Sequence, residues 1–206
     1  MKKKISLFAS LLIPLNTPSP WVHGHFGSTK PNTVVFSETG LKIKVQSSAS
    51  PLFYRLDPPK IVSHIIAKGS VDKLPTLPEP EGTDSGDDLP LRLGLVEPGP
   101  RPGWLARLFL PSWIEELLDI DKEQGFSSVQ FYTLAQTNAI GPQREHPKMT
   151  GVFEHTAAQI SQTGIFTLNA AVNPPLKAFA LWVQSDGDDS KSSFELSLRS
   201  LELQIQ

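Results

Sequence analysis

The chain is predicted to be all-β, a jelly-roll-like antiparallel β-sandwich with a short helical insertion, and three observations predict it. One is a stretch of strict alternation, Leu41, Ile43 and Val45 against Lys42, Lys44 and Gln46, a period of two that only a half-buried strand has. Another is the punctuation: 19 prolines and 14 glycines spread through 206 residues favour short strands and turns over long helices. The third is Ala178 to Val183, which reads Ala-Phe-Ala-Leu-Trp-Val with no polar residue and is expected to be a central strand covered on both faces.

From the N-terminus, Lys2, Lys3 and Lys4 precede an apolar run from Ile5 to Leu15 and a polar, proline-rich stretch from Asn16 to Pro20. This is the layout of a secretory signal, and residues 1–24 are expected to be removed on export to the periplasm or the cell exterior. The run is shorter than the ~20 residues of a membrane-spanning helix, and Pro14 interrupts it, so no membrane-spanning segment is expected. Cleavage after Gly24 would make His25 the new N-terminus and leave residues 25–206 as a single domain. It would also remove three lysines and no acid, moving the formal charge from -2 to -5. A mildly acidic chain without a basic cluster argues against nucleic acid as a partner. The absence of cysteine excludes disulfides and thiol nucleophiles.

Less regular strands are expected at Leu52–Leu56, Ile61–Ala67, Leu91–Val96, Val129–Ala135, Val152–His155 and Ile165–Val172. At the C-terminus Phe194, Leu196 and Leu198 alternate with polar residues, and Leu201, Leu203 and Ile205 continue on the opposite parity. A bulge near Arg199 and Ser200 would restore the register. Pro75–Asp88 and Thr137–Thr150 are expected to be surface loops.

Residues 97–124 break the pattern. Trp104, Leu105, Leu108, Phe109, Trp113, Ile114, Leu117 and Leu118 recur at helical spacing, which predicts two short helices at about 100–122 that pack on the sheet. Pro111 ends the first, and Ser112 with Glu115 forms a capping box for the second. Trp104 and Trp113 are the candidate ligand-binding residues of this insertion, aromatic faces able to stack on a sugar.

Three separated motifs occur in order: Ser47-Ser48-Ala49-Ser50, Gly86-Asp87-Asp88 before an apolar strand, and Ser185-Asp186-Gly187-Asp188-Asp189-Ser190 after one. Together they resemble a bacterial exported family of unassigned function, a domain-of-unknown-function group. That family carries a Ser-Ala-Ser stretch, a Gly-Asp-Asp motif and a Thr-Asp-Thr-Asp-Asn-Thr turn before its last strand. The likeness spans residues 36–205 outside the helical insertion. Asp189 stands where the family has Asn, and the tryptophans that the family carries in the strand at Ile61–Ala67 are absent. The resemblance implies a jelly-roll-like sandwich and brings no activity.

Two acidic turns carry the strongest chemical signal. Loops at one end of a sandwich converge, so Asp87 and Asp88 are expected to meet Asp186, Asp188 and Asp189 and supply oxygen ligands to calcium. The alternative is that these are simply good turn formers. His25, if N-terminal, is a candidate copper ligand with His64, His146 or His155 as its companion. The chain has no Gly-x-Ser-x-Gly elbow, His-Glu-x-x-His pair or phosphate-cradling glycine loop. Glu116, Glu123, Glu145 and Glu154 are open candidates for a carboxylate pair in glycoside cleavage. The expected function is therefore a non-catalytic exported binding or cell-envelope module for a glycan or an envelope component. The alternative is an exported polysaccharide-acting hydrolase or copper oxygenase.

Overall fold

The computed structural model describes residues 9–107, 110–141, 143–146, 149 and 151–206. Its elements in chain order are β1 (Ala9–Leu12), β2 (Trp21–His23), β3 (Thr33–Ser37), β4 (Gly40–Gln46), β5 (Ala49–Val71), β6 (Leu91–Gly99), α1 (Trp104–Arg107), α2 (Ser112–Ile120), β7 (Gly125–Ala135), β8 (Gln143–Glu145), β9 (Val152–Gln159), β10 (Ile165–Asp186) and β11 (Ser193–Ile205). Hydrogen bonding runs β3-β4-β11-β5-β10-β6-β7-β9-β8, with β1 on β11 and β2 on β5, and all pairings are antiparallel except β7 with β9.

The sandwich arises because β5 and β10 each serve two layers. The first half of β5 pairs with the last part of β10, Leu52 opposite Val183, and β10 there also pairs with β6, Val183 opposite Leu93. The second half of β5 pairs with the first part of β10, Ala67 opposite Leu168, and with β11, Ala67 opposite Leu201. Between the halves the register shifts at Ala171/Leu176 and Ala178/Ala180, where Pro58, Pro59, Pro174 and Pro175 lie. Proline cannot donate to the ladder, and strands that switch layers do so at such irregularities. The pairs of strands expected at 52–56 and 61–67, and at 165–172 and 178–183, are thus each one long strand bent at prolines.

The main core lies between the layers. Leu41, Ile43 and Val45 of β4, Leu196 and Leu198 of β11 and Ile65 of β5 meet Leu91, Leu93 and Leu95 of β6 and Leu181 and Val183 of β10. The strand Ala178–Val183 is covered on its other face too: Phe179 and Trp182 join Phe53, Val96, Phe131 and Leu117 of α2 in a second cluster. Trp182 is fully buried, with edge-on contacts to Phe53 and Phe131. Gly94 of β6 makes room for the Phe131 ring, since a Cβ there would sit 2.7 Å from that ring and 3.1 Å from the Trp182 Cβ. The expected bulge is present as a register shift between Leu198 and Ser200.

Three expectations are corrected. Residues 9–23 are not outside the sandwich: β1 pairs with β11, β2 pairs with β5, and Ile13, Leu15 and Trp21 are buried in the main core. Their apolar run reads as a leader, yet it supplies side chains that the edge of the core needs. In the helical insertion, Trp113 and Leu117 pack on the second cluster but Trp104 and Leu105 of α1 are exposed; Leu108 and Phe109 lie outside the described residues. The capping box does not form, because Pro111 is the N-cap and the Ser112 hydroxyl is engaged elsewhere, donating to the His25 carbonyl and accepting from the Gly27 N–H. Lys2–Lys4 also lie outside the described residues. Among the described residues no helix is long and apolar enough to cross a membrane.

Candidate functional site

The two acidic turns meet. Asp88 lies just before β6 and Asp186 ends β10, and the Asp186 N–H donates to the Leu89 carbonyl over 3.0 Å. Gly86 lets the first turn fold tightly enough, since a Cβ on it would stand 2.1 Å from the Pro80 carbonyl oxygen. The connection 75–88 is therefore not a plain surface loop: Glu81, Asp87 and Asp88 are buried, whereas Asp84 is exposed. Glu81 accepts hydrogen bonds from the N–H groups of Gln136, Thr137 and Asn138 and so fastens one long loop to the other.

At the centre is Arg92, which no motif singles out. It interrupts the apolar run Leu91–Val96, is fully buried, and faces away from the leucines. Its Nη2 donates to Asp87 Oδ1 over 2.7 Å and to the Asp87 carbonyl, its Nε to Glu154 Oε1 over 2.7 Å, and its Nη1 to Asp186 Oδ2 over 3.2 Å. Arg144 of β8 adds a second guanidinium on Glu154 and lies 3.7 Å from Asp87, and His146 Nε2 is 3.2 Å from Asp87 Oδ2. A buried charge survives only when paired and hydrogen-bonded, and here each arm of the guanidinium has a carboxylate.

The same neighbours separate the carboxylates electrostatically. Burial alone pushes Asp87 up, but Arg92, together with His146 and Arg144, holds it down at about 2. Asp186 goes the other way: burial, with Asp188 and Asp88 beside it, outweighs Arg92 and raises it well above the usual carboxylate range. Burial disfavours the Arg92 cation, and Asp87, Glu154 and Asp186 more than offset that.

Beside this network is a cleft of about 130 Å³ lined by Phe26, Thr29, Ala49, Asp87, His146, Met149, Gln184, Asp186, Asp188 and Asp189. All five aspartates expected to bind metal are thus at or beside one cleft, Asp88 just behind its wall. Gln184 links it to the core, donating from Nε2 to Asp186 Oδ2 over 2.9 Å while its Oε1 accepts from Trp182 Nε1 over 3.1 Å. Sequence reasoning missed Arg92 as the hub; the usable signal was a lone arginine in a strand otherwise fit for the interior.

The two aromatic candidates part company. Trp104 is 73% exposed, while Trp113 packs against Phe126 and Trp182. The histidines also scatter. His25 stacks on His23 and places its Nδ1 3.0 Å from Glu116 Oε1, His155 stacks on Tyr132 and bonds Gln130, and His146 sits on Asp87. His64 is on β5.

No family model matches the chain. No curated protein matches it either. Among solved structures it is similar to the xylan-binding module CBM15, at a TM-score of 0.42 and 10% identity over 96% of this chain and 97% of that one. It is also similar to Xylanase10C from Cellvibrio japonicus in complex with xylopentaose, at 0.38 and 10% over 95% of this chain and 28% of that one. A third likeness is to the apo Crh5 transglycosylase, at 0.38 and 8% over 95% and 83% of the two chains. At these scores the functional reading rests on the geometry of the chain itself.

Proposed function

We propose that this chain is a non-catalytic, exported binding module for a glycan, free or in the cell envelope, with the acidic cleft as its ligand site. The observation that carries the reading is the cleft's composition. Its lining combines an aromatic ring, Phe26, and a thioether, Met149, with the carboxylate of Asp188, the amide of Gln184 and the hydroxyl of Thr29. A sugar ring has the matching duality, C–H faces that pack on apolar side chains and hydroxyls that donate to carboxylates and accept from amides. Trp104, exposed on α1, is a second stacking surface within the same reading. Export belongs to the same proposal, since free polysaccharide and envelope glycans are met outside the cytoplasm.

The test is affinity electrophoresis and calorimetry of the full chain against soluble cell-wall polysaccharides and their oligosaccharides. Binding that weakens in Phe26→Ala and Trp104→Ala, with no release of reducing ends over long incubation, is expected. No binding to any glycan overturns the reading, and release of reducing ends turns it into a hydrolase.

A further inference from the structure

We infer that Asp88, Asp186 and Asp188 form a calcium site that joins the end of β10 to the turn before β6. One carboxylate oxygen from each of the three lies within 4.8 Å of the others. Calcium binds oxygen at about 2.3–2.6 Å, so donors on opposite sides of one ion stand about 5 Å apart, and these three can share it.

The second observation is independent of the clustering. Asp88 is completely buried; its Oδ2 accepts from the Ser190 N–H over 2.7 Å, but among the described residues its Oδ1 has no hydrogen-bond partner. Asp186, beside the Asp188 carboxyl, repeats the arrangement: its Oδ2 is taken by Arg92 and Gln184, and its buried Oδ1 meets no donor among the described residues. A carboxylate oxygen removed from water and left unbonded is costly, and two of them beside a third carboxylate compound the cost through repulsion. A cation removes both penalties at once. Arg92 does not fill that role, because its guanidinium already serves Asp87 and Glu154 as well as Asp186.

The donor set selects the ion. All ligands are oxygen, which excludes a preference for soft or imidazole-seeking metals and favours a hard cation. Asp188 is half-buried and lines the open cleft, with its Oδ2 held by the Thr29 hydroxyl over 3.3 Å, so waters can complete the 6–8 positions that calcium takes. The other cluster of possible ligands, Asp87, His146 and Glu154, is compensated by Arg92 and Arg144 and has no such need. The cation site does not depend on the glycan reading.

The experiment is calorimetric titration of the chelator-stripped full chain with calcium alone, and with magnesium alone, alongside thermal melts. Expected are one calcium per chain, a melting temperature several degrees higher in millimolar calcium, and a smaller response to magnesium. Asp188→Asn is the variant of choice because its side chain is the most accessible of the three. It is expected to weaken calcium binding about tenfold or more while the metal-free protein melts at or above the wild-type temperature, as relief of repulsion requires. No calcium heat and no shift in the wild type, or a shift that Asp188→Asn leaves intact, overturns the site. An equal response to magnesium overturns the choice of calcium.

Discussion

Arg92 Nη1 stands 3.2 Å from Asp186 Oδ2, joining two residues 94 positions apart at the ends of neighbouring strands. With Asp87 and Glu154 on the remaining guanidinium nitrogens, this arginine is the electrostatic keystone beneath the cleft.

Arg92→Met is expected to destabilise the protein by about 3–5 kcal/mol, because it takes the guanidinium from three buried carboxylates and leaves only Arg144, half-buried, beside Glu154 and Asp87. Arg92→Lys is expected to recover little, since an ammonium cannot reproduce the planar fork that addresses three partners. Denaturant unfolding of both variants checks this; near-wild-type midpoints would contradict the keystone role.

Trp182→Ala is expected to cost about 3–5 kcal/mol, the range of large aromatic truncations in a core. The ring is fully buried and sits on Phe53, Phe131 and Trp113. Urea unfolding is the measurement.

Tyr132 sets an alkaline limit. Burial, and secondarily the Glu97 charge, push its phenol up to about 12. The neutral form is therefore favoured in the folded chain over the unfolded one, whose phenol titrates near ~10. The resulting stabilisation is complete below pH ~10 and fades as pH rises to about 12, a loss of about 2–3 kcal/mol. In Tyr132→Phe this part of the alkaline decline is expected to vanish. Stability measured from pH 8 to 12 in both proteins decides it.

A chain beginning at His25 is expected to be markedly less stable than the full one. It loses Ile13, Leu15 and Trp21, each buried in the main core and each worth about 1.5–3 kcal/mol. Melting of the two forms, with the mass of the chain's N-terminus after expression in a secreting host, measures both the stability and the processing.

Much of the fold could be read from local pattern. The alternation at Leu41–Val45, the apolar run at Ala178–Val183 and the parity change near Ser200 each depend on neighbours in sequence, and each took its expected form. The continuity of β5 and β10 could not be read, because proline normally ends a strand and only tertiary pairing shows that the chain bends and carries on. The packing of residues 9–23 could not be read for a related reason: an apolar run flanked by charge looks the same whether it is exported or laid on a sheet edge. The meeting of the acidic turns followed from the architecture of a sandwich. Arg92, by contrast, has partners from three other segments, and no local periodicity marks such a residue.

The hydrogen-bond relay from Trp182 through Gln184 to Asp186 makes the protein its own optical probe. An indole whose N–H is held by the amide that touches the cleft is sensitive to a change of charge there, because the field along its ring shifts the energy of the excited state. Occupation of the cleft should therefore be legible as a change in tryptophan emission colour without any label. With Trp104 open to water, a quencher dissolved in the solvent would silence that ring and leave the emission to the shielded Trp21, Trp113 and Trp182.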